Sequence, residues 1–141
     1  MKINLLTFAT FLITFSLFSQ SEEGKIRETL QSYLEGSSYN NPERIQSAFY
    51  EEADLFLSKK DEELWVLSPK EYAALFQNRE KGEFNGREGK ILTINRSNDI
   101  AMAKAEIRIP SQNMHFVDIF LLKKLSGKWK IISKAATLMP K

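Results

Sequence analysis

Residues 113–137 read NMHFVDIFLLKKLSGKWKIISKAAT, two runs of β-forming residues joined at Ser126-Gly127. The second run alternates, which sets Trp129, Ile131, Ser133 and Ala135 on one face and Lys128, Lys130, Ile132 and Lys134 on the other. A two-residue turn at Ser126-Gly127 places Leu122 across from Ile131, Phe120 from Ser133 and Asp118 from Ala135. Phe116, Asp118, Phe120 and Leu122 then share the Trp129 face, and one carboxylate points into an apolar interior. A three-residue bulged loop would instead bring His115 inward in place of Asp118; with the two-residue turn His115 faces outward near Arg108.

The strand before this hairpin supports the two-residue turn. Residues 100–109 alternate Ala101, Ala103, Ala105 and Ile107 with Lys104, Glu106 and Arg108. With Pro110-Ser111-Gln112-Asn113 as a four-residue loop, Ile109 pairs with Met114, Ile107 with Phe116, Ala105 with Asp118 and Ala103 with Phe120. Asp118 is again inward. The small residues Ala101, Ala103, Ala105 and Ala135 around it leave room for a cavity.

Upstream, Ile26, Leu30, Tyr33 and Leu34 recur at helical spacing and Gly36 supplies a stop, so residues 21–35 form helix one. Asn41-Pro42 is an N-cap with proline at the first helical position, opening a short helix that turns Ile45, Ala48 and Phe49 inward. Residues 53–57 and 64–67 form a hairpin across the charged turn Lys59-Lys60-Asp61-Glu62. Ser68-Pro69-Lys70-Glu71 is a capping box that starts a third helix with Tyr72, Leu75 and Phe76 as its buried stripe. Residues 82–89 are loop, and residues 90–96 the first of four closing antiparallel strands. Helix, helix, strand, strand, helix, then four strands is an α+β order: a bent antiparallel sheet with about three helices on its concave side.

The chain begins MKINLLTFATFLITFSLFSQS, a single Lys2 followed by an uncharged apolar run over residues 3–18. This is the pattern of a secretory signal peptide over 1–19, with a single domain over 20–141 and a periplasmic or secreted destination without a membrane anchor after cleavage. The chain has no Cys and one His, which removes thiol catalysis and disulfides and leaves no basis for a protein-built zinc site. Net charge is +2 with acidic and basic residues nearly balanced, which excludes a nucleic-acid partner; the cluster Lys123, Lys124, Lys128, Lys130 and Lys134 belongs largely to a solvated strand face. No phosphate-binding loop, dinucleotide fingerprint or nucleophile elbow is present, so no cofactor is expected.

The order of elements, closing on Gly127-Lys128-Trp129-Lys130-Ile131, resembles the nuclear transport factor 2-like (NTF2-like) superfamily. The stretches SYNNPERIQSAFYEEADLF, LSPKEYAALF and FVDIFLLKKLSGKWKIISK are similar to its bacterial branch labelled "putative lumazine-binding". The resemblance covers essentially the whole mature chain. It implies a cone with a pocket between helix one, the capping-box helix and the sheet, and homodimers packed through the outer sheet face. It does not select an activity, because the superfamily holds isomerases, dehydratases, cyclases and non-enzymatic binders.

Two functions fit these residues. The first, preferred, is an exported small-molecule-binding domain for an apolar or aromatic ligand, with Tyr33, Tyr39, Trp65, Tyr72, Phe76, Phe116 and Phe120 as aromatic walls and Asp118 as the inward carboxylate. The second is a small isomerase- or dehydratase-like enzyme with Asp118 as acid or base and Tyr33 as its partner. A structural aspartate bonded to a buried donor competes with both. A dimeric protein-interaction domain, driven by Val117, Ile119, Leu121 and Ile132 on the outer face, is a third reading.

Overall fold

The structure, a computed structural model, describes residues 21–141. The signal-peptide expectation for residues 1–19 lies outside the described residues. Three helices, α1 (Glu22–Ser38), α2 (Pro42–Ala48) and α3 (Pro69–Ala74), accompany six strands: β1 (Phe49–Lys59), β2 (Glu62–Leu67), β3 (Glu88–Ser97), β4 (Ile100–Ile109), β5 (Met114–Leu125) and β6 (Lys128–Leu138). The strands form one sheet in the order β2-β1-β6-β5-β4-β3. The α+β expectation holds, with one refinement: β1 pairs with β6 in parallel, and every other pair is antiparallel.

Local signals place most boundaries. The Ser68 hydroxyl accepts from Glu71 N while the Glu71 carboxylate accepts from Ser68 N, closing the capping box with Pro69 in the first turn. Asn41 caps α2 in front of Pro42 through a bond from Arg44 N. β4 pairs with β5 through Ile109–Met114, Ile107–Phe116, Ala105–Asp118 and Ala103–Phe120, as the four-residue loop requires. Ser126 and Gly127 both have positive φ, 48° and 78°, and make the two-residue turn whose twist suits a hairpin.

Helix one does not stop at Gly36. It runs on to Ser38, and the chain leaves it through Asn40 at φ 53°. Gly36 serves close packing instead. A Cβ there would lie 2.9 Å from the backbone nitrogen of Ile45, so its missing side chain lets α2 sit directly on α1. The expected tight connection over residues 36–40 is therefore mostly the last turn of the helix. Leu75 departs from its expected stripe and is exposed, whereas Tyr72 and Phe76 are buried.

The larger correction concerns β6. Leu122 pairs with Ile131 as the turn dictates, but Leu121 pairs with Ser133, which leaves Ile132 as an extra residue in a β-bulge. One extra residue reverses which side chains face the core. Ser133 and Ala135 therefore do not face inward. Lys134, assigned by strict alternation to the solvated face, lies opposite Phe120 and is 2% exposed, while Ala136 takes the place across from Asp118.

The core lies between the helices and the inner sheet face, with Ile26, Leu30, Tyr33 and Leu34 of α1 packed among Leu55, Ile107, Phe120, Leu122 and Ile131. The turn end of the β5–β6 hairpin is pinned to the start of α1. Trp129 Nε1 donates to Glu22 Oε2 at 2.9 Å, Lys124 pairs with the same oxygen at 2.9 Å, and the Thr29 hydroxyl donates to the Trp129 carbonyl at 3.1 Å. Bonds from Lys25, Lys124 and Trp129 hold the Glu22 carboxyl down at a pKa of about 2. At the far end of α1, Asn40 donates to the carbonyls of Glu80 (2.9 Å) and Glu83 (3.0 Å), fastening the long segment between α3 and β3 to the helix.

Candidate functional site

A cavity of about 250 Å³ opens between α3, the segment that follows it, and the inner faces of β1, β2, β5 and β6. Its apolar wall includes Leu57, Trp65, Phe76, Ile109 and Phe116, and its charged residues are Arg79, Arg87, Asp118 and Lys134. One small residue on β6, Ala136, lines the cavity directly opposite Asp118; the alanines expected to leave room there do not line it, because Ala101, Ala103 and Ala105 are packed into the core and the bulge turns Ala135 outward.

At the floor sits a buried polar chain. Lys134 Nζ meets Asp118 Oδ2 at 2.8 Å, and both side chains are 2% exposed. Tyr33 donates its hydroxyl proton to the same oxygen at 3.0 Å. The Tyr33 and Tyr72 hydroxyls are 3.2 Å apart. Since the Tyr33 proton is engaged on Asp118, the bond between the phenols must be donated by Tyr72. The Lys134 ammonium also lies 5.3 Å from the Tyr33 ring centroid and 5.5 Å from that of Tyr72, within cation–π range of both. Burial, then the neighbouring Asp118 charge, raise the Tyr33 phenol well above its ordinary value, so it remains a neutral donor. This is a satisfied network: a carboxylate held by one cation and one phenol, in a site where an unpaired charge would be costly.

Arg87 comes from the segment before β3. Its backbone nitrogen donates to Asn85 Oδ1 at 3.0 Å, and Asn85 Nδ2 reaches the Ser37 carbonyl and Asn40 Oδ1, each at 2.7 Å. That hub holds Arg87 against the cavity, with Nη2 3.5 Å from the Tyr72 hydroxyl, at the outer limit of a hydrogen bond. Burial works against the guanidinium charge, but the nearby Tyr72, Tyr33 and Asp118 outweigh it, and its pKa is raised.

The expected site residues separate into three groups. Trp65, Tyr72, Phe76, Phe116 and Asp118 line the cavity. Tyr33 and Phe120 are fully buried beneath it, their rings 5.5 Å apart and nearly edge-to-face, and they support the floor without lining it. Tyr39 lies elsewhere, 44% exposed and packed on Phe84. Helix one thus contributes from behind the lining, through Tyr33 under the floor and through the Ser37 carbonyl that holds Asn85. His115 stays outward on β5, paired across the strands with Arg108 and 3.3 Å from Glu106. No cluster of three or more His, Cys, Asp or Glu that could hold a metal ion occurs among the described residues. Sequence reasoning missed Lys134, Arg87 and Arg79. The bulge hid the first, and the arginines sit where no periodicity reports direction.

Comparison with known proteins agrees with the fold. The family described as "Putative lumazine-binding" matches residues 21–135. Among solved structures, the chain is similar to an NTF2-like protein of unknown function from Shewanella baltica, with 24% identity over 87% of this chain and 100% of that one and a TM-score of 0.74. An NTF2-like protein of unknown function from Methylobacillus flagellatus has 26% identity over 86% and 95% of the two chains, with a TM-score of 0.70. A ketosteroid isomerase-like protein from Erwinia carotovora atroseptica shares the fold at 14% identity, 86% and 100% coverage and a TM-score of 0.62. No curated protein matches the chain.

Proposed function

Because this chain belongs to the family described as "Putative lumazine-binding", built on the NTF2-like fold, we propose that it is an exported binding protein that holds a small apolar or aromatic molecule without turning it over. The observation that carries this reading is the cavity itself: aromatic walls from Trp65, Phe76 and Phe116 over a floor whose polar groups already satisfy one another. That floor also favours binding over acid–base turnover. Asp118 Oδ2 is tied to both Lys134 and Tyr33, and the Tyr33 hydroxyl proton is engaged on it, so the carboxylate is held ionised beside a cation and the phenol is not directed at a ligand. Export rests on the apolar run at residues 3–18 behind Lys2, and places the protein in the periplasm or outside the cell.

The test is native mass spectrometry of protein purified gently from its own host, followed by titration with the neutral aromatic probe 2-naphthylmethanol. A bound small molecule or probe is expected in the wild type and a loss of about tenfold or more in affinity in Ala136→Phe, which fills the cavity from β6. A wild-type protein that is empty and takes up no probe would sink the reading.

The outer sheet face supports a second proposal, a homodimer. Ile119 and Leu121 of β5 are about half exposed beside Met102 and Ile100 of β4, with Val117 and Ile132 adjoining, an apolar stripe that a monomer would leave in water. Light scattering after size exclusion is expected to return twice the monomer mass at micromolar concentration, and Leu121→Lys to return a monomer. A monomeric wild type would count against this assembly.

A further inference from the structure

The charges of the cavity do not balance. Arg79, Arg87 and Lys134 line it with a single carboxylate, Asp118, and Lys134 takes that carboxylate at 2.8 Å. Neither arginine belongs to any salt bridge among the described residues. Both guanidinium groups instead gather at Phe76, their central carbons 5.8 Å (Arg79) and 5.9 Å (Arg87) from its ring centroid.

Arg87 is the less satisfied of the two. Its Nε–H is shut off from solvent with no hydrogen-bond partner, and the rest of the guanidinium finds only phenols, Tyr72 at a long 3.5 Å and Tyr33. A buried donor without an acceptor is destabilising, and a cation pays for burial unless an anion accompanies it. The chain nevertheless anchors Arg87 there through Asn85, Asn40 and Ser37. Arg87 is thus fixed at the cavity with a donor unmet.

We infer that the ligand is an anion: a flat apolar or aromatic body bearing a carboxylate, with the carboxylate on the Arg87 guanidinium, Arg79 beside it, and the body against Trp65, Phe76 and Phe116. This rests on the binding reading above and narrows its ligand class. A guanidinium matches a carboxylate with two parallel donors, which gives orientation as well as attraction. Within a cavity walled by aromatic rings the attraction is less screened than at the surface.

Calorimetric titration of the purified protein with 2-naphthoate and with neutral 2-naphthylmethanol tests this. Wild type is expected to bind the carboxylate about tenfold or more tightly than the alcohol. Arg87→Gln is expected to erase that preference, bringing the ratio of the two affinities to about one, and Arg87→Lys to restore part of it. Equal affinity for both probes, or an Arg87→Gln protein that keeps its preference for the carboxylate, overturns the proposal. Binding of the alcohol alone leaves the cavity a binding site but refutes its anion preference, whereas binding of neither probe removes the binding reading and this one with it. Should Arg87→Gln fail to fold, the wild type still decides: affinity for 2-naphthoate must fall as salt is raised while affinity for the alcohol holds, and a parallel response refutes the ion pair.

Discussion

Lys134→Met, with Asp118 left in place, is expected to lower the unfolding free energy by about 3–5 kcal/mol, the usual result of removing one partner of a buried ion pair. The two side chains are each 2% exposed and 2.8 Å apart, so the abandoned carboxylate would keep a single hydrogen bond, from the Tyr33 hydroxyl, and only the more distant Arg87 as a cation. The double variant Asp118→Asn/Lys134→Met should recover most of that loss. Asparagine keeps an acceptor for Tyr33 and carries no charge, and methionine fills much of the lysine's volume beside Phe120. Urea denaturation of the wild type, the two single variants and the double variant closes a cycle whose coupling term measures the pair. A single variant that loses under about 1 kcal/mol would mean that water reaches the pair and that Lys134 behaves as a surface lysine.

Phe120→Ala is expected to cost about 4 kcal/mol, in the middle of the range for deleting a buried aromatic ring. Phe120 is fully buried, stands edge-to-face with Tyr33 at 5.5 Å, and faces Ala103 on one neighbouring strand and Lys134 on the other. Alanine cannot expand into the space, and the lysine is held by Asp118, so the hole would stay largely open. The polar floor above would lose its support as well, since Tyr33 rests on that ring. Phe120→Leu, which retains most of the volume, should cost about half as much. Chemical denaturation followed by circular dichroism measures both; equal losses for the two variants would show that the site collapses around either side chain.

These two residues show how far the sequence could be read. Phe120 was legible because the β4–β5 pairing depends only on a four-residue loop and the strict alternation of Ala101, Ala103, Ala105 and Ile107, and the observed pairs match it one by one. Asp118 followed from the same count. Lys134 did not, because Ile131-Ile132 presents two β-branched residues in succession and either can be the inward one. Alternation carried through from Trp129 sends Lys134 outward, and a bulge at Ile132 sends it inward. Only the pairing of β6 with β5 on one side and with β1 on the other selects the bulge, and only the Asp118 carboxylate and two phenol rings make a buried ammonium tolerable.

What the sequence determined by itself is what rests on neighbours a few residues apart: the capping box at Ser68 and Glu71, the proline-opened α2 behind Asn41, the Ser126-Gly127 turn, and the β4–β5 register that turns Asp118 inward. Backbone geometry and short hydrogen bonds settle these without reference to the rest of the chain. Tertiary structure alone decided the others. Gly36 has the composition of a helix stop, yet the approach of Ile45 makes it a packing contact within a helix that continues. Arg87 sits in a segment with no period to report its direction, and its aim at the cavity comes from Asn40 and Asn85, far away in sequence from each other. The charge of the cavity therefore depends on contacts that form only once helix, loop and bulged strand have come together.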